Sequence, residues 1–345
     1  MKYYTLKKIV FVLFCLMSLW ACSDKEPIRL IGETQGTYYI LTYFDDKDRD
    51  FQQQLDSILS LIDQTASVYN PNSIISRINN NDTDVQINED FKHLIVLSQT
   101  ISKQTNGYFD ITIAPLINLW DLDKLDSLQI PVAQIDSVKQ FVGWKKIKLE
   151  NNRLYKENNN IQLNMNAIAQ GYTVQKIADF LKNEGVQNFI LDIGGEVFAA
   201  GTKNGQPWRV GIEKPAVNKY DNRVVDVILV PKNQSVVTSG SYRKYKIIDG
   251  QRYSHIIDIE SGYPAKDSLL SVTVLHDDAT FADAYATALM AMGYEKAIDF
   301  AHRNPDLGFF FIYASHEGTK SFATDKMKQI IVSEQISKWG GNIDD

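Results

Sequence analysis

The residues with chemistry to offer gather in two runs, QRYSHIIDIESGYP at 251–264 and FADAYATAL at 281–289. The first run carries a histidine, His255, and a carboxylate, Asp258, into a Ser-Gly-Tyr-Pro turn. Histidine is the side chain whose ordinary pKa lies closest to neutrality, which makes His255 a candidate general base. The second run sets Asp283 and Thr287 four residues apart. On a helix that spacing puts a carboxylate and a hydroxyl on one face, a donor pair suited to a hard divalent cation. Each piece also has an ordinary explanation. Thr280 and Asp283 have the spacing of a helix capping box, and an acid in a first turn suits the helix dipole. A single histidine in an apolar strand can be structural, and Ser261, Gly262 and Pro264 are common turn formers. Spacing alone leaves both explanations open.

Strands and helices must hold these groups. Apolar alternation predicts a strand before His255, a second strand over 270–275, and an Ala-rich helix that opens with Asp283. Residues 30–43 alternate as a strand interrupted at Gln35-Gly36-Thr37, where the glycine suggests a bulge or a close backbone approach. Helical spacing runs through 51–68 and through 89–104, the latter ending at Asn106-Gly107, a plausible C-cap. Residues 163–201 read as strand, turn, helix over 173–183, a Gly185 cap, a strand, then Gly194-Gly195 and another strand. The double glycine is no dinucleotide fingerprint, because no helix follows at the required spacing. Short strands are expected at 147–149, 154–156, 224–230, 308–314 and 321–324.

Several ordered segments together resemble the ApbE family, the flavin transferases that move FMN from FAD onto other proteins. HIIDIESGYP and ADAYATAL are similar to its H-I-I-D-P-x-T-G-x-P and A-D-A-x-x-T-A-L signatures. GTYY at 36–39, SVYNPNSIISRIN at 67–79, GYFDITIAPLINLW at 107–120, AIAQGY at 167–172 and PWRVGIEKP at 207–215 match further family elements in the same order.

The resemblance implies an α+β, ApbE-like fold of mixed and antiparallel sheets with packed helices, in one two-lobed catalytic unit. It implies FAD as substrate and Mg²⁺ as cofactor, the metal held by Asp283, Thr287 and the backbone carbonyl of Ala167. His255 would be the catalytic base. Gln35, Tyr69, Tyr108, Phe109, Asp110, Asn164, Gln170 and Ile256 would line the flavin nucleotide. The expected reaction moves FMN to a Ser or Thr hydroxyl of an acceptor protein and releases AMP. A Mg²⁺-dependent FAD pyrophosphatase and a non-catalytic flavin-binding lipoprotein are the alternatives. The chain departs from the family pattern at Asn164, Gln170 and Gln175, where many members carry Asp, Lys and Asp. Ile259 replaces a proline, and Ala286 stands where a carboxylate is sometimes seen. Gln170 can hydrogen-bond a diphosphate oxygen but not neutralise it, a difference of roughly 1–2 kcal/mol. Arg243, in TSGSYRKY, is a candidate phosphate contact.

The chain begins with a basic segment (Lys2, Lys7, Lys8) and an apolar run too short to cross a bilayer comfortably, ending LWAC. Residues 1–21 are expected to be a lipoprotein signal peptide, cleaved to leave a lipidated Cys22. The mature protein would then be membrane-anchored and extracytoplasmic, on the periplasmic side. Residues 22–30 would be a tether, 31–330 the catalytic domain and 331–345 a tail. Losing the signal removes Cys15, so no disulfide framework or thiolate metal site remains. It also removes three lysines, taking the formal charge from −6 to −9, which argues against a nucleic-acid partner. With 44% apolar residues the chain can bury a sizeable core. By resemblance, the acceptors would be flavoprotein subunits of extracytoplasmic electron-transport complexes.

Overall fold

The computed structural model describes residues 25–120, 130–215, 225–241, 245–248, 251–254, 256–265 and 268–332. The signal segment, Cys22, Arg243, His255 and residues 333–345 lie outside the described residues. The α+β expectation is met by helices packed on a large antiparallel sheet. Its eight strands run in chain order: β1 Ile28–Thr34, β2 Thr37–Phe44, β3 Asn188–Ile193, β4 Glu196–Ala200, β5 Gln234–Gly240, β6 Leu269–His276, β7 Gly308–Ser315 and β8 Gly318–Ala323. Every neighbouring pair is antiparallel. Excursions between consecutive strands supply the helices.

The hairpin tips differ from the sequence expectation in one respect. Gln35 and Gly36 are not a bulge within a strand. They form a two-residue turn between Thr34 and Thr37, with φ +49° and +74°, the two positive angles a type I′ turn needs. Gly194 and Gly195 turn β3 into β4 in the same way, with φ +64° and +112°. The packed chain starts inside the expected tether, since β1 begins at Ile28. It also reaches past residue 330, where Ile331 bridges Leu229 and Val332 N–H donates to the Ile228 carbonyl.

Five helices matter for the site: α1 Gln52–Ala66, α2 Glu89–Gln104, α3 Ala169–Asn183, α4 Ala279–Met292 and α5 Tyr294–Arg303. Helix α2 has the bounds that apolar spacing predicts, and the Asn88 side chain caps it by accepting from Phe91 N–H at 2.8 Å. Helices α1 and α3 pack on β1–β4 through Leu55, Leu59, Val174, Ile177 and Leu181. Helix α4 is apolar on nearly every side and correspondingly buried. It lies against α3, β5 and β6. Strand β7 is buried on both faces because alternate side chains meet different layers. Phe309 and Phe311 join the core under α4 and α5. Phe310 and Ile312 face the short antiparallel pair Val210–Glu213 and Val225–Leu229.

Candidate active site

The seam between α3 and α4 is the centre of the site. Helix α4 starts earlier than its sequence suggests. Asp278 is the N-cap, its Oδ1 accepting from Thr280 N–H at 2.7 Å. Asp283 is therefore no capping-box acid, and it sits more than a turn inside the helix. Its carboxyl is 4% exposed, and Oδ2 accepts from Gly171 N–H at 2.8 Å. Burial pushes this acid up to about 7, opposed only by that one backbone donor. Gly171 is required by the closeness of the two helices. A Cβ there would stand 2.3 Å from the Ala279 carbonyl oxygen and 2.5 Å from Asp283 Cβ.

Thr287 lies one turn beyond Asp283, half-buried, with Oγ1 3.4 Å from Ser239 Oγ on β5. Ala286 is buried in the core, and its methyl group offers no donor atom to a metal. Gln175 ties the seam from the other side, its Oε1 accepting from Ala279 N–H at 2.9 Å.

The turn before α3 supplies a further oxygen. Helix α3 starts at Ala169, so the Gly171 N–H is one of its first-turn donors without an intrahelical partner, and Asp283 accepts from it. Among the described residues nothing donates to the Ala167 carbonyl. Asn164 shapes this turn: its N–H donates to the Ile111 carbonyl at 2.7 Å and its Oδ1 accepts from Asn166 N–H at 2.8 Å. Both hairpin tips lean on the first turns of α3. Gln35 Nε2 donates to Thr173 Oγ1 at 2.6 Å. Gln170 Nε2 lies 3.3 Å from the Ile193 carbonyl, so close beneath Gly194 that a Cβ on that glycine would come within 2.6 Å of the same nitrogen.

The aromatic candidates are placed differently. Tyr69 is 83% exposed at a turn. Tyr108 is half-buried, and its hydroxyl accepts from Lys296, which also pairs with Glu260 at 2.5 Å; burial pushes the phenol above its usual value. Phe109 is packed into the core. The Asp110 carboxylate is occupied by Thr112 N–H at 2.8 Å, Thr112 Oγ1 at 2.7 Å and Trp144 N–H at 2.6 Å, though burial still raises its pKa. The side chains of Phe109 and Asp110 thus support a wall of the molecule in this arrangement. Ile256 is buried in the same core, and its carbonyl accepts from Ala265 N–H at 2.8 Å. Asp258 caps its own turn, accepting from Glu260 N–H at 3.0 Å and Ser261 N–H at 3.3 Å.

Structure therefore gathers Gln35, Ala167, Gln170 and Asp283 around the start of α3, with Thr287 one turn away. Gly171, Thr173 and Ser239 are supporting residues that the sequence did not single out, and Gln175 stood out there only as a departure from the family pattern. Among the described residues no three His, Cys, Asp or Glu side chains cluster as a metal site; Asp283 is the carboxylate among the gathered residues. A separate cleft of about 510 Å³ lies on another face of α3, lined by Ile58, His93, Tyr172, Lys176, Phe180 and Asp278. It shares Gln175 with the seam but includes none of Gln35, Ala167, Gln170, Asp283 and Thr287.

The ApbE family model matches residues 35–311. A Vibrio cholerae serotype O1 protein named FAD:protein FMN transferase is 32% identical over 326 residues, covering 92% of this chain and 96% of that one. An Escherichia coli (strain K12) protein of the same name is 31% identical over 322 residues, covering 90% and 91%. The flavin transferase ApbE structure from Vibrio cholerae superposes with a TM-score of 0.79 at 30% identity, over 88% of this chain and 99% of that one. The apo flavinyl transferase ApbE of Pseudomonas stutzeri gives 0.76 at 29%, over 88% and 96%. On its match to the family model, its relatives and its fold, the chain belongs to the ApbE family.

Proposed function

We propose that this chain breaks the diphosphate of FAD and transfers the FMN half to a Ser or Thr hydroxyl of an acceptor protein, with Mg²⁺ held at the α3–α4 seam. Flavin transfer itself follows from family membership, since relatives spanning nine-tenths of the chain are named FAD:protein FMN transferase. In the reaction, the acceptor oxygen forms a bond to the FMN-side phosphorus while the bridging P–O bond breaks. AMP leaves with that oxygen, and the acceptor's proton goes to a base, for which His255 is the candidate.

The residues at the seam fit a small hard cation. One buried carboxylate, one hydroxyl and one carbonyl are all oxygen donors. When bound, Mg²⁺ would draw charge from the diphosphate oxygens. Asp283 would then be ionised despite its burial, Thr287 and the Ala167 carbonyl would complete the protein's share of ligands, and Gln170 would donate its amide to phosphate. The observation that carries this reading is the Asp283 carboxyl, buried against the start of α3 with Gly171 N–H as its donor.

Incubating the protein with FAD, Mg²⁺ and an acceptor domain should add the mass of FMN to that domain. The Asp283→Ala variant should add none, and undiminished labelling by that variant would remove Asp283 from the metal site. Rapid release of FMN and AMP without acceptor would favour a pyrophosphatase. Flavoprotein subunits of extracytoplasmic electron-transport complexes are the proposed acceptors, reached from a lipid-anchored position on the periplasmic side. A Cys22→Ser variant should move from the membrane to the soluble fraction; unchanged membrane retention would exclude the lipid anchor.

A further inference from the structure

The segment from Ile161 to Gly171 leads into the site, and its backbone polar groups can be followed one by one. The Ile161 carbonyl accepts from Lys156 Nζ at 2.9 Å. Leu163 is held twice by one side chain: its N–H donates to Asn79 Oδ1 at 2.7 Å, and its carbonyl accepts from Asn79 Nδ2 at 2.8 Å. Asn164 and Asn166 are pinned as described above. The Met165 carbonyl accepts from Ile168 N–H at 3.0 Å and Ala169 N–H at 2.8 Å. Ile161, Leu163 and Met165 are fully buried. The Ala167 carbonyl is thus an undonated acceptor in a run of backbone fixed on both sides of it.

Two side chains from distant parts of the sequence do the outside holding. Lys156 ends the short hairpin formed by Ile147–Glu150 and Arg153–Lys156. Its ammonium is half-buried and, among the described residues, pairs with no carboxylate. It donates instead to the Ile161 carbonyl and, at 3.0 Å, to the Ile78 carbonyl. Ile78 lies in the last turn of the helix Ile74–Asn79, where the dipole favours a cation. Desolvation lowers the lysine's pKa, so keeping a charge here opposes folding unless the carbonyls repay it. Asn79, the next residue, holds Leu163. Lys156 and Asn79 therefore act as the two arms of one clamp, closing the 74–79 helix onto the 161–163 segment.

We propose that Lys156, together with Asn79, is a positioning residue for the Ala167 carbonyl, presenting that oxygen to the cation shared with Asp283 and Thr287. This rests on the Mg²⁺ reading of the seam. Magnesium accepts little deviation from octahedral geometry, so a loosened clamp lowers metal affinity before it lowers the reaction rate at saturating metal.

The test uses the full chain, stripped of metal and titrated with Mn²⁺, with the EPR signal of the free ion as readout. Lys156→Met removes the ammonium and keeps the stem; Lys156→Arg keeps a cation; Asn79→Ala removes the other arm. Outer contacts of this kind shift metal affinity by about 10-fold or more. The Mn²⁺ dissociation constant should rise about 10-fold in Lys156→Met and in Asn79→Ala and return toward the starting value in Lys156→Arg. The metal concentration for half-maximal transfer should move by the same factor, with kcat at saturating metal little changed. A lowered unfolding midpoint with unchanged Mn²⁺ affinity would make the clamp purely structural and overturn the proposal. If Lys156→Met does not fold, Asn79→Ala decides. Asp283→Ala separates the two levels of the argument. If it leaves Mn²⁺ binding intact, the seam is not the metal site and both readings fall; if it abolishes binding that the clamp variants leave untouched, only the clamp falls.

Discussion

At the scale of single residues, Asp283 sets the terms. A carboxyl 4% exposed, with one backbone N–H as its donor, is held up to about 7 by desolvation. The folded state then binds this proton more tightly than the unfolded chain, whose carboxyl titrates near about 4. Stability must fall as pH rises from about 4 to about 7, and level off above. In metal-free buffer Asp283→Asn should remove that slope, making the variant more stable than the parent at pH 8 by on the order of 1–3 kcal/mol. Urea unfolding at pH 5 and pH 8 measures it. A cation reverses the ranking, because it stabilises the ionised form: with Mg²⁺ present the parent should gain stability at pH 8 and the variant should not. A parent protein equally stable at both pH values without metal would contradict the assigned burial cost. Cation affinity should itself rise with pH through the same range, since binding displaces the proton.

At the scale of elements, the site depends on how closely α3 and α4 approach. The contact joins residues 112 apart in sequence, and it exists because position 171 has no side chain. Gly171→Ala would drive a methyl against the Ala279 carbonyl and Asp283 Cβ. Overpacking of this kind should cost about 3 kcal/mol, seen as a lower denaturation midpoint, and should also abolish the stabilisation by Mg²⁺. Retained metal response in that variant would mean the seam can widen without harm. Local elements were legible in the sequence where one periodicity ruled: α2 emerges with its predicted bounds, and β6 and β7 stand where apolar runs fall. Legibility failed where two signals competed. Asp277, Asp278 and Thr280 all suit a helix start, and only the fold shows that Asp278 caps. Gln35 is an uncommon residue for a left-handed turn position, so the β1–β2 hairpin looked like one interrupted strand. The clamp at Lys156 had no residue-type signal, because its partners are backbone carbonyls, one of them 78 residues away.

At the scale of the whole molecule, the sheet order makes two hairpin tips, the start of α3 and the middle of α4 neighbours, although they are spread from Gln35 to Thr287. A ligand seated there touches all of these pieces, so its binding energy should appear as protection of all of them together. At about 100 times its dissociation constant a ligand adds about 2.7 kcal/mol to global stability. Amide exchange resolves where that gain is local. With FAD and Mg²⁺ the amides of 35–37, 167–173, 193–196 and 283–287 should slow by more than those of the β7–β8 turn at 315–318, which lies outside this neighbourhood. The cleft on the other face of α3 supplies the contrary outcome. Protection centred on Ile58, His93 and Lys176, with 193–196 unchanged, would put the nucleotide in that cleft and leave Asp283 as a buried acid with no part in transfer.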